Sequence, residues 1–270
     1  MRLELYHGGS SVCSAKVRVG LAEKKLDWIS HPVNLPAGEQ FDPDYLKINR
    51  NGVVPTLIQD GRVMTESSII LEHIDGLSTQ NPLMPKDQFL QSEARLWLLR
   101  CLDIHAAINT MTFSTANRDK ILANNTPQQI ADSIAKMPNP KAAQKRRDLL
   151  EKGLESIYVT NDFYVLKQVF DDMELALNDS QWLLGDSYGI ADTAIIAYID
   201  RLERLGMSGL WEDRTPQVGR WLAASQARSS YMIGISDHIA ESEAQSMRAA
   251  GGAQWPKAKV IWDRFLDQSS

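Results

Sequence analysis

Cysteine is scarce: only Cys13 and Cys101 occur in 270 residues, too few for a disulfide framework and wrongly spaced for a zinc site. The pair fits a reducing, cytoplasmic setting. Long apolar runs are also missing. Stretches such as 194–199 fall well short of the about 18 residues that a membrane helix needs, so no span is expected. Residues 1–6 break their apolar run with charge at once and lack the apolar block of a secretory signal. Nor is there an excess of positive charge. Against 34 Asp and Glu stand 29 Lys and Arg, a net charge of −5, which leaves no global cationic field to hold nucleic acid. The histidines His7, His31, His73, His105 and His238 are scattered, without the i, i+4 pairing of a helical metal site, and no metal is expected.

What remains is ordinary globular composition, 43% hydrophobic and 23% charged, in a chain long enough for two domains. Leu3 to Tyr6 alternates like a strand, and a Gly-Gly-Ser-Ser turn leads into a helix over Ser14 to Lys25. Asp27 to Val33 reads as a second strand and Asp42 to Lys47 as a short helix. Val53 to Ile58 and Arg62 to Met64 flank the turn Asp60-Gly61, and Ser67 to Asp75 is helical. That order predicts an α/β part, one mixed sheet with helices packed on it. Gly76, Ser78, Thr79, Pro82 and Pro85 are linker chemistry. Beyond them the chain turns all-α. Leu96, Leu99 and Leu102 fall at helical steps, as do Leu166, Val169, Phe170, Met173 and Leu177. The basic cluster Lys141, Lys145, Arg146 and Arg147 reads as a solvated helix face.

Three short segments carry candidate chemistry. Before the first helix stand Ser11, Cys13 and Ser14, where unpaired N–H groups and the positive helix end stabilise an anion, including a thiolate. Taken alone, Ser11 or Ser14 reads equally as an N-cap. Pro55 follows Val54 at a strand start, where a cis bond would turn the Val54 amide groups outward to pair with an extended peptide. Glu66 and Ser67 open another helix, where a carboxylate can sit at Ser67 and an ammonium at Glu66.

Taken together, Ser11-x-Cys13-Ser14-x-Lys16-Val17-Arg18, Asn49 to Leu57 and Thr65 to Ile70 resemble the glutathione-binding half of cytosolic glutathione transferases in residues and spacing. Leu183 to Asp192 is similar to that family's helical-domain signature, except that Gly189 stands where the family has a Ser or Thr cap, and the likeness spans nearly the whole chain. The serine-type loop looks zeta-like, near the bacterial β-etherases and the tetrachlorohydroquinone reductive dehalogenases.

The resemblance implies a thioredoxin-like domain over residues 1–78, a linker over 79–90 and a helical domain over 91–270 holding the second-substrate pocket, with Met111, Phe113 and Tyr158 nearby. It further implies glutathione as cosubstrate, its thiol at Ser11, its cysteinyl backbone on Val54 beside Pro55, its γ-glutamyl end on Glu66 and Ser67, and its glycine end within reach of Gln40. Asp192 is expected to be structural, and the tail around Trp255, Trp262 and Phe265 to fold back on the molecule. The expected partners are a small hydrophobic aromatic substrate and a second copy of the chain, or a related chain in a heterodimer. Three functions compete: transfer of glutathione to an aromatic electrophile, including β-aryl ether cleavage; reductive dehalogenation or thiol oxidoreduction through Cys13; and a non-catalytic interaction protein on the same fold.

Overall fold

A computed structural model describes residues 1–268. Alternation sets the sheet. In β1 (Leu3–His7) the side chains of Leu3, Leu5 and His7 are buried while Glu4 and Tyr6 are half-buried, the period-two pattern of a strand with different surroundings on its two faces. α1 (Val12–Glu23) follows, then β2 (Ile29–Pro32), α2 (Pro43–Ile48), β3 (Thr56–Gln59), β4 (Arg62–Met64) and α3 (Ser67–Gly76). The strands lie in the order β2-β1-β3-β4, with β1 parallel to β2 and antiparallel to β3, and β3 antiparallel to β4. This is the expected mixed sheet. Leu3, Leu5 and Leu57 pack against Val17 and Leu21 of α1 and Ile70 and Ile74 of α3. A smaller cluster joins Val33, Tyr45 and Val54, with Tyr6 and Leu35 against it.

The linker is pinned rather than slack. Asp75, near the end of α3, accepts from the backbone N–H groups of Leu83 (2.8 Å) and Met84 (2.9 Å). The same carboxylate takes the buried Lys24 ammonium at 2.8 Å, and Lys24 also donates to the Ser78 and Asn81 carbonyls. Backbone groups of four residues, Ser78, Asn81, Leu83 and Met84, thus converge on one ion pair.

Helices fill the remainder: α4 (Gln88–Ser114), α5 (Ala116–Asn124), α6 (Pro127–Ala135), α7 (Pro140–Lys152), α8 (Ile157–Leu177), α9 (Ile190–Arg204), α10 (Pro216–Gln226), α11 (Ser229–Gly234) and α12 (Glu241–Gln268). The chain divides into two compact units. One comprises Met1–Leu102, Ala176–Ala197 and Arg220–Ala240; the other comprises Asp103–Leu175, Tyr198–Gly219 and the chain from Glu241 on. Within the second, Trp262 and Phe265 of α12 pack on Phe163 of α8, the fold-back expected of the tail.

One helix reading gains a direction and another needs correction. On α4 the residues Leu96, Leu99 and Leu102 point outward, 49%, 64% and 61% exposed, and the buried side is instead Trp97, Leu98, Cys101, Ile104 and Ile108. The helix carries two apolar stripes, and spacing alone does not say which one faces inward. On α7 the basic cluster is not simply solvated. Lys145 pairs with Asp162 at 2.9 Å and donates to the Ala106 carbonyl, while Arg146 lies 3.2 Å over the Phe113 ring, where burial lowers its pKa to about 10.

The entry to α9 explains the unusual Gly189. Asp192 accepts from the N–H groups of Gly189 (2.9 Å) and Leu183 (3.0 Å) and from Trp221 Nε1 (2.7 Å), so it ties the cap, the preceding turn and α10 together. A side chain at Gly189 would place its Cβ 3.0 Å from the Leu83 carbonyl, which already accepts the Ile190 N–H. The linker therefore occupies the space that a Ser or Thr cap would need.

Candidate active site

Sheet register gathers the three segments at one end. Tyr6 is opposite Thr56, so the loop leaving β1 lies beside the chain entering β3; Leu57 is opposite Met64, so the chain leaving β4 toward α3 is next in line. His7 is opposite Pro32 in the parallel pair, which sends the chain that carries Gln40 off the same end.

In the first loop, Ser11 is the N-cap of α1, with extended backbone and its Oγ accepting the Ser14 N–H at 3.3 Å. The helix therefore starts earlier than the expected Ser14. That bond uses a lone pair, so the Ser11 O–H keeps its proton for another acceptor, and Ser11 is only half-buried. Ser14 is different. Its side chain is fully buried and its Oγ accepts the Gly8 N–H at 3.2 Å, bracing the loop from behind. Cys13 is in no disulfide and is half-exposed; Cys101 is buried, which pushes its thiol pKa up.

The Val54–Pro55 bond is cis, and both residues are buried. Two side chains that sequence reasoning did not single out hold this turn. Tyr45 O–H donates to the Val53 carbonyl at 2.7 Å and bonds to Thr56 Oγ1; Asn49 Nδ2 donates to the same two groups at 2.9 and 3.1 Å. Burial raises the Tyr45 pKa. The available signal was the lone large aromatic of the short helix α2.

Glu66 precedes α3 with φ of +69°, a conformation that costs a non-glycine residue of order 1–3 kcal/mol, and its side chain is exposed. Ser67 is the first residue of α3, next to the N–H groups that no helical carbonyl satisfies. Ser68 accepts from Lys16 Nζ and donates to the Leu98 carbonyl. Gln40 lies in the short turn Glu39–Phe41 with its Oε1 buried and without a partner, so the amide is turned inward.

Arg18, 1% exposed, lies behind the loop, and burial lowers its pKa to about 9. His7 is held at about 3 by burial and by Arg18, so it is uncharged at neutral pH. A hydroxyl with a spare proton, a buried cation and two helix N-termini suit a thiolate ligand with a carboxylate end.

Among the described residues no three or more His, Cys, Asp or Glu gather to hold a metal, and no helix is long and apolar enough to cross a membrane. The side chains expected near the second-substrate pocket are packed against neighbours. Met111 is fully buried, Phe113 is covered by Arg146, and Tyr158 lies under Lys145 Nζ at 5.3 Å. One cavity in the second unit, about 280 Å³, is lined by Tyr164, Lys167, Gln168, Asp171 and Asp172.

Residues 10–77 match the family described as Glutathione S-transferase, N-terminal domain. Protein LigF of Sphingobium sp. is 29% identical over 237 residues, 84% of this chain and 91% of that protein. The solved structure of the β-etherase LigF from that bacterium superimposes with a TM-score of 0.75 at 26% identity, over 88% of this chain and 98% of its own. The tetrachloro-p-hydroquinone reductive dehalogenase of Sphingobium chlorophenolicum is 26% identical over 236 residues, 85% of this chain and 94% of that one. A glutathione transferase family member from Pseudomonas fluorescens, solved with two glutathione bound, shares the fold with a TM-score of 0.65 at 21% identity, covering 86% of this chain and 92% of its own.

Proposed function

The chain belongs to the glutathione transferase family, and we propose that it joins glutathione to a small hydrophobic aromatic electrophile, cleaving a β-aryl ether. It is a glutathione-dependent transferase with glutathione as cosubstrate. When bound, glutathione supplies a thiolate that bonds to carbon as the carbon–oxygen bond breaks, the electron pair leaving on the aryloxide. The observation that carries the reading is Ser11: an N-cap whose hydroxyl accepts from Ser14 and retains a proton for the sulfur. Donation from that hydroxyl, together with the α1 N-terminus, lowers the thiol pKa.

The remaining residues bind and orient. Val54, before the cis bond to Pro55, pairs with the cysteinyl backbone, while Tyr45 and Asn49 hold the turn from beneath. The exposed Glu66 takes the ammonium and the start of α3 at Ser67 takes the γ-glutamyl carboxylate, a use for the strained backbone at Glu66. Gln40 reaches the glycine end only if its buried amide turns out. Residues 1–78 form the glutathione-binding part, and 91–270 supply the side facing the second substrate. The likeness to LigF over most of both chains supports ether cleavage.

A second reading is reductive dehalogenation, favoured by the half-exposed Cys13 in the first turn of α1 and by the likeness to the dehalogenase. In that chemistry the Cys13 thiolate attacks the sulfur of a glutathionyl aromatic; a mixed disulfide forms and the reduced aromatic leaves, taking a proton. Incubation with glutathione and a panel of aryl ethers and halogenated hydroquinones, read by product mass, separates the two. A thioether with a free phenol supports ether cleavage, and a reduced aromatic with oxidised glutathione overturns it.

We also propose a cytoplasmic homodimer. The homodimer is supported by the outward stripe of Phe89, Leu96, Leu99 and Leu102 on α4, four large apolar side chains left exposed along one helix.

A further inference from the structure

Arg18 is buried, yet its hydrogen bonds go to no carboxylate. Nη1 donates to the Gly8 carbonyl (3.0 Å) and meets His7 Nδ1 (3.2 Å), Nη2 donates to the Gly9 carbonyl (2.8 Å), and Nε donates to the Gly234 carbonyl (2.8 Å). A buried cation matched only by neutral dipoles is costly, and such an arrangement survives where the charge or the fixed geometry has a use. The Gly8 carbonyl also accepts the Ser11 N–H (3.3 Å), so Arg18 and the cap of α1 share one oxygen.

The third bond reaches across 216 residues of sequence to α11. That helix is fastened to α1 at both ends. Glu23 takes Arg228 Nε and Nη2 at 2.8 and 2.9 Å and the Ser230 hydroxyl at 2.5 Å, and at the other end a Cβ on Gly234 would lie 2.6 Å from the Val19 N. Just beyond, the His238 ring meets His7 edge-on at 5.3 Å. The titratable groups facing Arg18 are His7 and His238, with the Asp237 carboxylate acting on His238 in the opposite sense; burial and the guanidinium outweigh it and keep both imidazoles neutral at pH 7, with pKa values of about 3 and about 4.

Building on the reading that the glutathione thiol lies at Ser11, we propose that Arg18 is a positioning residue of the thiol site. It fixes the Gly8–Ser11 loop through two carbonyls, ties that loop to residues 228–238, and leaves an unneutralised positive charge behind the bound sulfur. A thiolate in that field is stabilised relative to the thiol, and Ser11 meets it in one geometry.

The test compares Arg18→Met, Arg18→Lys and Gly234→Ala with the parent protein. Calorimetry gives glutathione affinity, thiolate absorbance against pH gives the pKa of the bound thiol, and steady-state rates give kcat and KM separately. Arg18→Met should raise the bound-thiol pKa by about one unit and lower kcat about tenfold, with affinity changed less than about threefold. Arg18→Lys should restore part of the pKa, because the charge stays while the fork that spans two carbonyls is lost. Gly234→Ala, which pushes α11 off α1 and keeps Arg18, should lower kcat and speed amide exchange at Ser11. Unchanged bound-thiol pKa and kcat in both Arg18 variants, or identical values for Met and Lys, would overturn the proposal. Should Arg18→Met not fold, the other two variants decide it by the same readouts. Failure of the parent protein to bind glutathione would overturn the function itself, which is a different result from normal binding with an indifferent Arg18.

Discussion

At the scale of single residues, the two serines of the first turn separate by where their oxygens point. Ser11 accepts from Ser14 N–H at a half-buried position, whereas Ser14 is enclosed and accepts from Gly8 N–H. Ser11→Ala should therefore raise the bound-thiol pKa and cut turnover by the worth of one hydrogen bond to a charged group, roughly 1.5–3 kcal/mol, with little change in glutathione affinity. Ser14→Ala should instead cost about 1–3 kcal/mol of stability, because it leaves a buried N–H unsatisfied, and a denaturant midpoint will register it. Cys13→Ser should keep most activity, since ether cleavage needs no protein thiol; accumulation of a glutathionyl aromatic by that variant, where the parent protein releases a reduced aromatic, would favour the dehalogenase reading. His7 sets a pH response. Its folded pKa of about 3 lies below the ordinary 6.5, so the unfolded chain binds the proton first, and the stability from His7 is lost as pH falls from 6.5 toward 3. Urea unfolding of His7→Gln across that window should show a shallower decline than the parent protein.

At the scale of elements, the entry to α9 is the test of local construction. The Leu183 and Gly189 N–H groups and Trp221 Nε1–H all donate to the Asp192 side chain, so an amide there must turn its NH₂ toward at least one of them. Asp192→Asn should cost about 1–3 kcal/mol at neutral pH, read from the denaturant midpoint. Burial raises the Asp192 pKa to about 6 from 3.8, so the folded state holds a proton that the unfolded state releases, and this group adds stability as pH falls from about 6 toward 3.8. That sign opposes His7 over the shared window. The sequence made legible those features that arise locally. Alternation in β1 and the cap at Ser11 are neighbour effects, and Glu66-Ser67 declared a strand-to-helix junction by its own residue types. What stayed hidden depended on distant partners. Arg18 stands in the first motif without a legible role because its anchor, Gly234, is far along the chain. Arg146 looked solvated because nothing nearby in sequence announces that its cation covers Phe113. The stripe on α4 was visible as a period, but its direction was set by the other apolar stripe of the same helix.

At the scale of the whole molecule, the exposed α4 stripe bears on assembly. Sedimentation at micromolar concentration should give about twice the 30.3 kDa chain mass, and Leu99→Glu with Leu102→Glu should shift it to the monomer; a monomeric parent would refute the homodimer. The proposed function rests on the end of the sheet where the loop before α1, the turn before β3 and the start of α3 converge, which brings the Ser11 hydroxyl and the first turns of α1 and α3 to the same end. The most direct measurement is product mass after incubating the parent protein and Ser11→Ala with glutathione and a β-aryl ether. The expected result is a glutathione thioether and free phenol in equal amounts from the parent, formed far more slowly by the alanine variant. Equal rates for the two proteins, or no glutathione-dependent product from the parent, would contradict it.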